Sequence, residues 1–166
     1  LGPQPAPAQD AGNSASPGSM GPLSLVESSV SRVMALVKSQ PDTDQRRAAV
    51  RQVAATLFDF NEMARRTLAQ RWSDRSPQEQ EEFVRLFTEL LERSHLTTIE
   101  NYRLATITFQ GETVEGSSAR VRSRLIADRR EVPIEYRLSR SAGRWGVYDV
   151  VVEGISLVSN YRSQFN

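Results

Sequence analysis

Few residues of this chain are of a type that does chemistry, and their surroundings narrow what each could do. There is one histidine, His95, and no cysteine. A thiolate nucleophile, a disulfide and a cysteine-ligated metal are therefore excluded, and a Ser-His-Asp arrangement would have to rest on His95. No nucleophile is identifiable for it, and its place on the polar edge of a long helical stretch reads as a solvated or locally hydrogen-bonded side chain. Asp149 is the stronger candidate. It lies among apolar residues in "WGVYDVVVEG", and a carboxylate in an apolar cone of strands can act as a base with a tyrosine nearby, here Tyr148 or Tyr136. Small cone-shaped α+β isomerases and dehydratases work in this way. The plainer role for a strand carboxylate is pairing with an arginine across the sheet. Glu79, Glu81 and Glu82 fall in a first helical turn, where the macrodipole favours negative charge without a metal. Gly111, Gly116, Gly143, Gly146 and Gly154 are isolated at turns, bulges or strand ends, so no phosphate-cradling loop is present.

Of the 21 basic residues only Lys38 is lysine. Arginine forks suit carboxylate or phosphate, although a GC-rich genome would produce the same bias. Arg120, Arg122 and Arg124, with Arg137 nearby, form a basic stripe on one sheet face. No aromatic side chains interleave with them for base stacking, and a net charge of +1 gives no polyelectrolyte character. The stripe reads as a solvated edge or a protein-docking patch, not as a nucleic-acid site.

The 166 residues suffice for one domain with a sizeable core. Residues 1–22, "LGPQPAPAQDAGNSASPGSMGP", carry too little apolar surface to order themselves and read as a flexible arm, part tag or linker. Residues 23–166 read as the domain. No stretch reaches the roughly 18 apolar residues of a membrane span. No signal peptide is visible, and the chain opens on Leu1, so a leader is expected to have been removed.

Helical periodicity begins at Ser24 with Leu25, Val26, Val30, Val33, Met34 and Val37, and Pro41 stops it. A second helix is predicted over 42–57. In "FDFNEMARRTLAQRW", Asp59 caps a third, with Phe58 and Met63 placed as a hydrophobic staple. In "SPQEQEEF", Ser76 caps, Pro77 takes the first helical position and Glu79 completes a capping box, starting a long helix that reaches Tyr102. After Leu104 the period changes to two, predicting strands over 106–110, 118–127, 132–140 and 144–153. Val121, Leu125 and Ala127 alternate with the arginines, and Ile134, Tyr136 and Leu138 with Glu135, Arg137 and Ser139. The result is an α+β domain: N-terminal helices on the apolar face of a curved antiparallel sheet of about four strands, an NTF2-like cone closed by a Ser156-capped C-terminal helix.

The apolar inventory is large. Helices supply Phe58, Phe60, Met63, Leu68, Trp72, Phe83, Phe87, Leu90, Leu91, Ile99 and Tyr102; strands supply Leu125, Ile134, Tyr136, Leu138, Trp145, Val147 and Val151; Leu157 and Tyr161 come from the last helix. Sequence does not separate a filled core, as in a pure interaction domain, from one holding a cavity.

Two stretches, "FDFNEMARRTLAQRWSDRSPQEQEEFVRLFTELLERS" and "WGVYDVVVEGISLVSNYRSQF", resemble the MlaC, or toluene-tolerance auxiliary, family of periplasmic lipid carriers. Phe58, Phe60, Met63 and Ala64 match its "FxFxxMA"; Trp72, Phe83, Phe87, Leu90 and Leu91 match its next apolar anchors. Trp145, Tyr148, Asp149, Gly154, Ser156, Leu157, Tyr161, Arg162 and Phe165 match its closing motif. Ala69 stands where glycine is usual, and His95 where tyrosine is usual. The resemblance implies a non-enzymatic monomer without a cofactor, carrying phospholipid as cargo through the periplasm. It would run between an outer-membrane lipoprotein complex and an inner-membrane ABC transporter, approaching membranes transiently without inserting. A branch of the family is associated with hopanoids. The apolar residues above would then line a lipid cavity between the layers, with Arg65, Arg66 and Arg162 at its rim or toward partners.

Overall fold

The computed structural model of the chain describes residues 2–3 and 20–165, so the expected flexible arm lies almost wholly outside the described residues. Helix α1 (Pro22–Ser39) starts on Pro22, where the missing N–H is no loss. This is two residues before the apolar periodicity begins. Helix α2 (Thr43–Leu57) is capped by the Asp42 carboxylate, which accepts from the Gln45 N–H at 2.8 Å, and buries Val50, Val53 and Leu57 along one face. Asp59 caps α3 (Phe60–Leu68) by accepting from the Glu62 N–H at 3.0 Å. Phe58 and Met63 meet in one apolar cluster, as a staple requires. The capping box of Ser76 and Glu79 opens α5 (Pro77–Asn101), the longest helix.

Between α3 and α5 lies a short helix, α4 (Gln70–Ser73), that the apolar pattern does not announce. Ala69 joins α3 to it at φ 54° and ψ −122°, a region that only glycine enters freely. Ala69→Gly is therefore expected to stabilise the protein by about 1 kcal/mol. A denaturant midpoint that does not rise would show that the junction is unstrained.

The sheet has the order β1-β2-β3-β4-β5 and is antiparallel throughout. Its strands are β1 (Thr106–Glu115), β2 (Ser118–Ala127), β3 (Arg130–Ser141), β4 (Arg144–Val152) and β5 (Ile155–Ser156), followed by α6 (Leu157–Gln164). β1 runs five residues past its expected end at Gln110. Gly111, at φ 127°, allows a bulge after Phe109 and lets pairing with β2 continue to Glu115. The later hairpins turn through pairs with both residues at positive φ: Asp128–Arg129, Ala142–Gly143 and Glu153–Gly154. β5 is a fifth, two-residue strand, against about four expected. It forms because the turn at Glu153–Gly154 folds Ile155 and Ser156 back onto Val152 and Val151.

The inward row is set by the pairs Ala119 with Leu138, Val121 with Tyr136, and Leu138 with Val147, and the outward row by Arg120 with Arg137 and Arg122 with Glu135. A register shift in β4 at Tyr148 changes the phase. Val150 and Val152 now pair with Tyr136 and Ile134, while Asp149 and Val151 pair with Arg137 and Glu135. Val151 thus leaves the inward row to which period-two counting assigns it.

Candidate functional site

Where α1 and α2 lie on the sheet, Leu25, Val26 and Leu57 pack against Ala119, Val121, Tyr136, Leu138 and Val147, with Phe58, Ile134 and Trp145 around them. Where α3, α5 and α6 converge, Met63, Ala64, Phe87, Leu91 and Tyr161 form a second cluster, flanked by Phe58, Phe60, Trp72, Phe83, Leu157 and Phe165. A third, smaller group joins Leu125 and Val132 to Ala105, with Ile134 at its edge. Phe58 packs against both large clusters and links them. Its backbone bridges Val147, the next N–H, of Asp59, donates to the Val147 carbonyl at 2.9 Å, and its ring lies 5.6 Å from that of Phe60. Gly146 makes that approach possible, because a Cβ there would meet the Asp59 Cβ at 3.0 Å.

The second cluster is aromatic. Phe87 lies 5.6 Å from both Phe83 and Tyr161, and Phe165 lies 6.1 Å from Tyr161. Phe165, outside the expected lining set, is reachable by sequence as the residue four after Tyr161 on α6. His95 closes the row, its Nε2 3.2 Å from the Tyr161 hydroxyl, half-buried rather than solvated. Burial pushes the imidazole down from its usual 6.5. The folded state therefore resists protonation that the unfolded chain accepts. Stability is undiminished above about pH 6.5 and is lost as pH falls below it, until the folded pKa is reached. The fall in thermal midpoint between neutral pH and pH 5 is expected to be shallower in His95→Gln; equal slopes in both proteins would remove His95 from the effect.

Among the other expected lining residues, Leu68 and Ile99 are half-buried, Leu90 and Tyr102 are exposed, and Val151 is buried on the register of Glu135. An open groove of about 760 Å³ runs over Leu68, Phe83 and Leu86, beside Arg71 and Arg75. Between the layers the interior is closed: Met63, Phe87, Leu138 and Val147 are each 2% exposed or less. α5 is also strapped to α2 by ion pairs, Arg46 and Arg47 to Glu100 and Arg51 to Glu92, at 2.8–3.1 Å.

Asp149 is held by structure. Its carboxylate, 3% exposed, accepts from the Ser156 hydroxyl at 2.5 Å and the Val158 N–H at 3.0 Å, and Arg137 stands 3.9 Å away. The arginines divide. Arg65 is exposed and paired with Glu62. Arg66 pairs with Glu62 and stacks 3.6 Å over the Tyr148 ring. Arg162, expected at the surface, is half-buried: its Nε and Nη2 both donate to the Arg66 carbonyl, at 3.0 and 2.6 Å, tying α6 to α3. Among the described residues no cluster of His, Asp and Glu could hold a metal, and no helix is long and apolar enough to cross a membrane.

Residues 27–166 match the family described as MlaC protein. The intermembrane phospholipid transport system binding protein MlaC of Haemophilus influenzae is 24% identical over 129 residues, which cover 74% of this chain and 60% of that protein. The chain thus spans under two thirds of that relative's length. Among solved structures, a phospholipid-binding protein from Ralstonia solanacearum, determined in complex with a phospholipid, matches with a TM-score of 0.81 and 25% identity. The match covers 88% of this chain and 86% of that one.

Proposed function

The chain belongs to the MlaC family, and from that premise we propose that it is a periplasmic phospholipid carrier, with acyl chains lodged between the helical layer and the sheet and the headgroup near solvent. Its cargo would pass between an outer-membrane lipoprotein complex and an inner-membrane ABC transporter. The observation that supports this most is the shared fold of a protein solved with a phospholipid bound, around an interior whose side chains are overwhelmingly aliphatic and aromatic.

The need for a carrier follows from magnitude. Two acyl chains hold about 30 methylenes, and at about 0.8 kcal/mol each their exposure to water costs over ~20 kcal/mol. The pocket must offset nearly all of that, yet release lipid to partners offering the same, so that exchange stays near neutral. A closed interior meets this if it parts at one joint. Phe58, shared by the two large clusters, is that joint. Acyl chains entering there would exchange side-chain contacts for lipid contacts, with little net change in buried apolar area. The α2 to α5 ion pairs, partly exposed, are weak enough to yield.

The test is native mass spectrometry of the purified protein followed by solvent extraction. Co-purifying phospholipid is expected. A hopanoid would change the cargo and keep the carrier, and protein that neither retains nor takes up lipid would overturn the reading. Asp149 has no place in the carrier's work, so Asp149→Asn is expected to alter stability and leave the identity of the bound lipid unchanged.

A further inference from the structure

α4 closes one side of the second apolar cluster, and it is held there more loosely than its neighbours. Gln70, Arg71 and Ser73 are exposed, and Trp72 alone turns inward, half-buried, to pack against the cluster of Met63, Ala64 and Phe87. Among the described residues, two side-chain hydrogen bonds tie it to other elements. The Arg71 Nη1 donates to the Phe165 carbonyl at 2.6 Å, and the Gln80 Nε2 donates to the Trp72 carbonyl at 2.8 Å. The other walls are better secured. α6 is bound to α3 by two guanidinium nitrogens of Arg162 and to β4 through Asp149, and α5 is bound to α2 by the pairs of Arg46, Arg47 and Arg51.

Solvent approaches the cluster on both sides of this short helix. An open groove of about 620 Å³ runs past Trp72 and Val84, and the groove of about 760 Å³ over Leu68 and Leu86 is lined by Phe83. Trp72, Phe83 and Val84 all pack against the second cluster, and the Phe83 ring lies 5.6 Å from that of Phe87. One layer of side chains therefore separates each groove from the buried interior. Charges of both signs rim the larger groove, Arg71 and Arg75 against Glu79 and Glu82, so it has the character of a passage and not of an anion site.

The joint on which α4 turns is Ala69. At φ 54° and ψ −122° it holds a conformation that only glycine adopts without strain, and its methyl is exposed, so no packing offsets the cost. At the far end Ser76 is fixed by its capping box, which leaves residues 70–75 as the piece free to move. We propose that α4 is a lid, hinged at Ala69, whose opening bares the second cluster and lets acyl chains enter and leave past Trp72 and Phe83. The hinge stands on the geometry, whereas the identity of what passes beneath it rests on the carrier reading. From the second cluster Phe58 leads on to the first, so chains admitted here reach the joint between them. Strain at Ala69 raises the energy of the closed form alone, and alanine thus holds the lid nearer to opening than glycine would.

Amide hydrogen exchange of the full chain, resolved by NMR, tests the hinge without lipid. The Trp72, Asp74 and Arg75 amides, each donating to a backbone carbonyl within this segment at 3.2–3.3 Å, are expected to exchange faster than those in the middle of α5. Ala69→Gly should slow them about fivefold, and Gln80→Ala, which cuts the tie to Trp72, should speed them by about the same factor. The passage is read as the rate of uptake of nitrobenzoxadiazole-labelled phosphatidylethanolamine from vesicles of phosphatidylethanolamine and phosphatidylglycerol. That rate should fall about fivefold in Ala69→Gly and rise in Gln80→Ala, with the amount bound at equilibrium unchanged; a glycine that merely stabilised the fold would leave the rate alone. Amides as protected as those of α5, exchange indifferent to Ala69→Gly, or uptake unaltered by both variants would each overturn the inference. The two readings fail separately: uptake beside a fully protected α4 sinks the lid alone, and an opening α4 in protein that takes up no lipid sinks the carrier and leaves the hinge.

Discussion

Phe87→Ala is expected to destabilise the protein by about 3–5 kcal/mol, the range for removing a buried aromatic ring. Phe87 is 2% exposed, on the middle of α5, with Phe83 and Tyr161 rings each at 5.6 Å and that of Phe165 at 6.4 Å. Its ring is where the long helix meets α3 and α6 at once, so its loss leaves a void bounded by Met63 and Ala64 of α3, Tyr161 of α6 and Leu91 one turn further along α5. Those elements are fixed elsewhere, α3 by the Asp59 contact to β4 and α6 by Arg162. The void therefore cannot collapse by moving one helix, and the cost falls toward the upper part of the range. Denaturant unfolding should show a lowered midpoint with unchanged slope. Leu86→Ala, one residue earlier and 49% exposed, is the control, expected within about 0.5 kcal/mol. If Phe87→Ala costs under about 1 kcal/mol, α5 is not part of the cooperative core.

The experiment also bears on the proposed carrier function. A bound lipid stabilises the state that binds it, and acyl chains reaching the second cluster would fill part of the void. Lipid-loaded Phe87→Ala should then lose less stability, relative to loaded wild type, than the delipidated pair shows. Equal losses would place the acyl chains on the Leu138 and Val147 side of Phe58.

Much of this architecture is written locally, and that part is readable. Ser76, Pro77 and Glu79 specify a helix start within four residues, as do Asp59 with its staple and Ser156 at α6, because caps are satisfied by near neighbours. Alternation along β2 and β3 likewise carries the inward and outward rows without knowledge of the rest. What escapes is non-local. The shift at Tyr148 depends on which residues of β3 face it, and it alone turns Val151 away and brings Asp149 opposite Arg137. Arg162 reads as a surface cation because its partner is a backbone carbonyl 96 residues earlier. The stacking of Arg66 on Tyr148 is likewise hidden in sequence, because that ring is supplied by another layer. Ala69 is an intermediate case: its departure from the family's usual glycine is visible in sequence, and the positive φ explains why glycine is usual.

Asp149→Ala is expected to cost about 3–5 kcal/mol, as breaking a buried charged network does. The carboxylate orients the Ser156 hydroxyl, whose oxygen accepts from the Ser159 N–H at 3.1 Å and so caps α6, and it separately satisfies the Val158 N–H. Alanine would leave that N–H buried without an acceptor, free the hydroxyl to rotate, and strand Arg137 with only Glu135. Asp149→Asn should cost less, about 1–2 kcal/mol. Its amide oxygen can still accept from Val158, and its NH₂ can donate to Ser156, which loses only its own donor's partner. Ser156→Ala should cost about 1 kcal/mol, and the Asp149→Ala/Ser156→Ala pair should fall short of additivity, because both act on the same helix end. Limited proteolysis near Gly154 would report the loosening of α6 directly. An Asp149→Ala protein as stable as wild type would mean that the carboxylate is not holding the helix, and would return it to the candidates for chemistry.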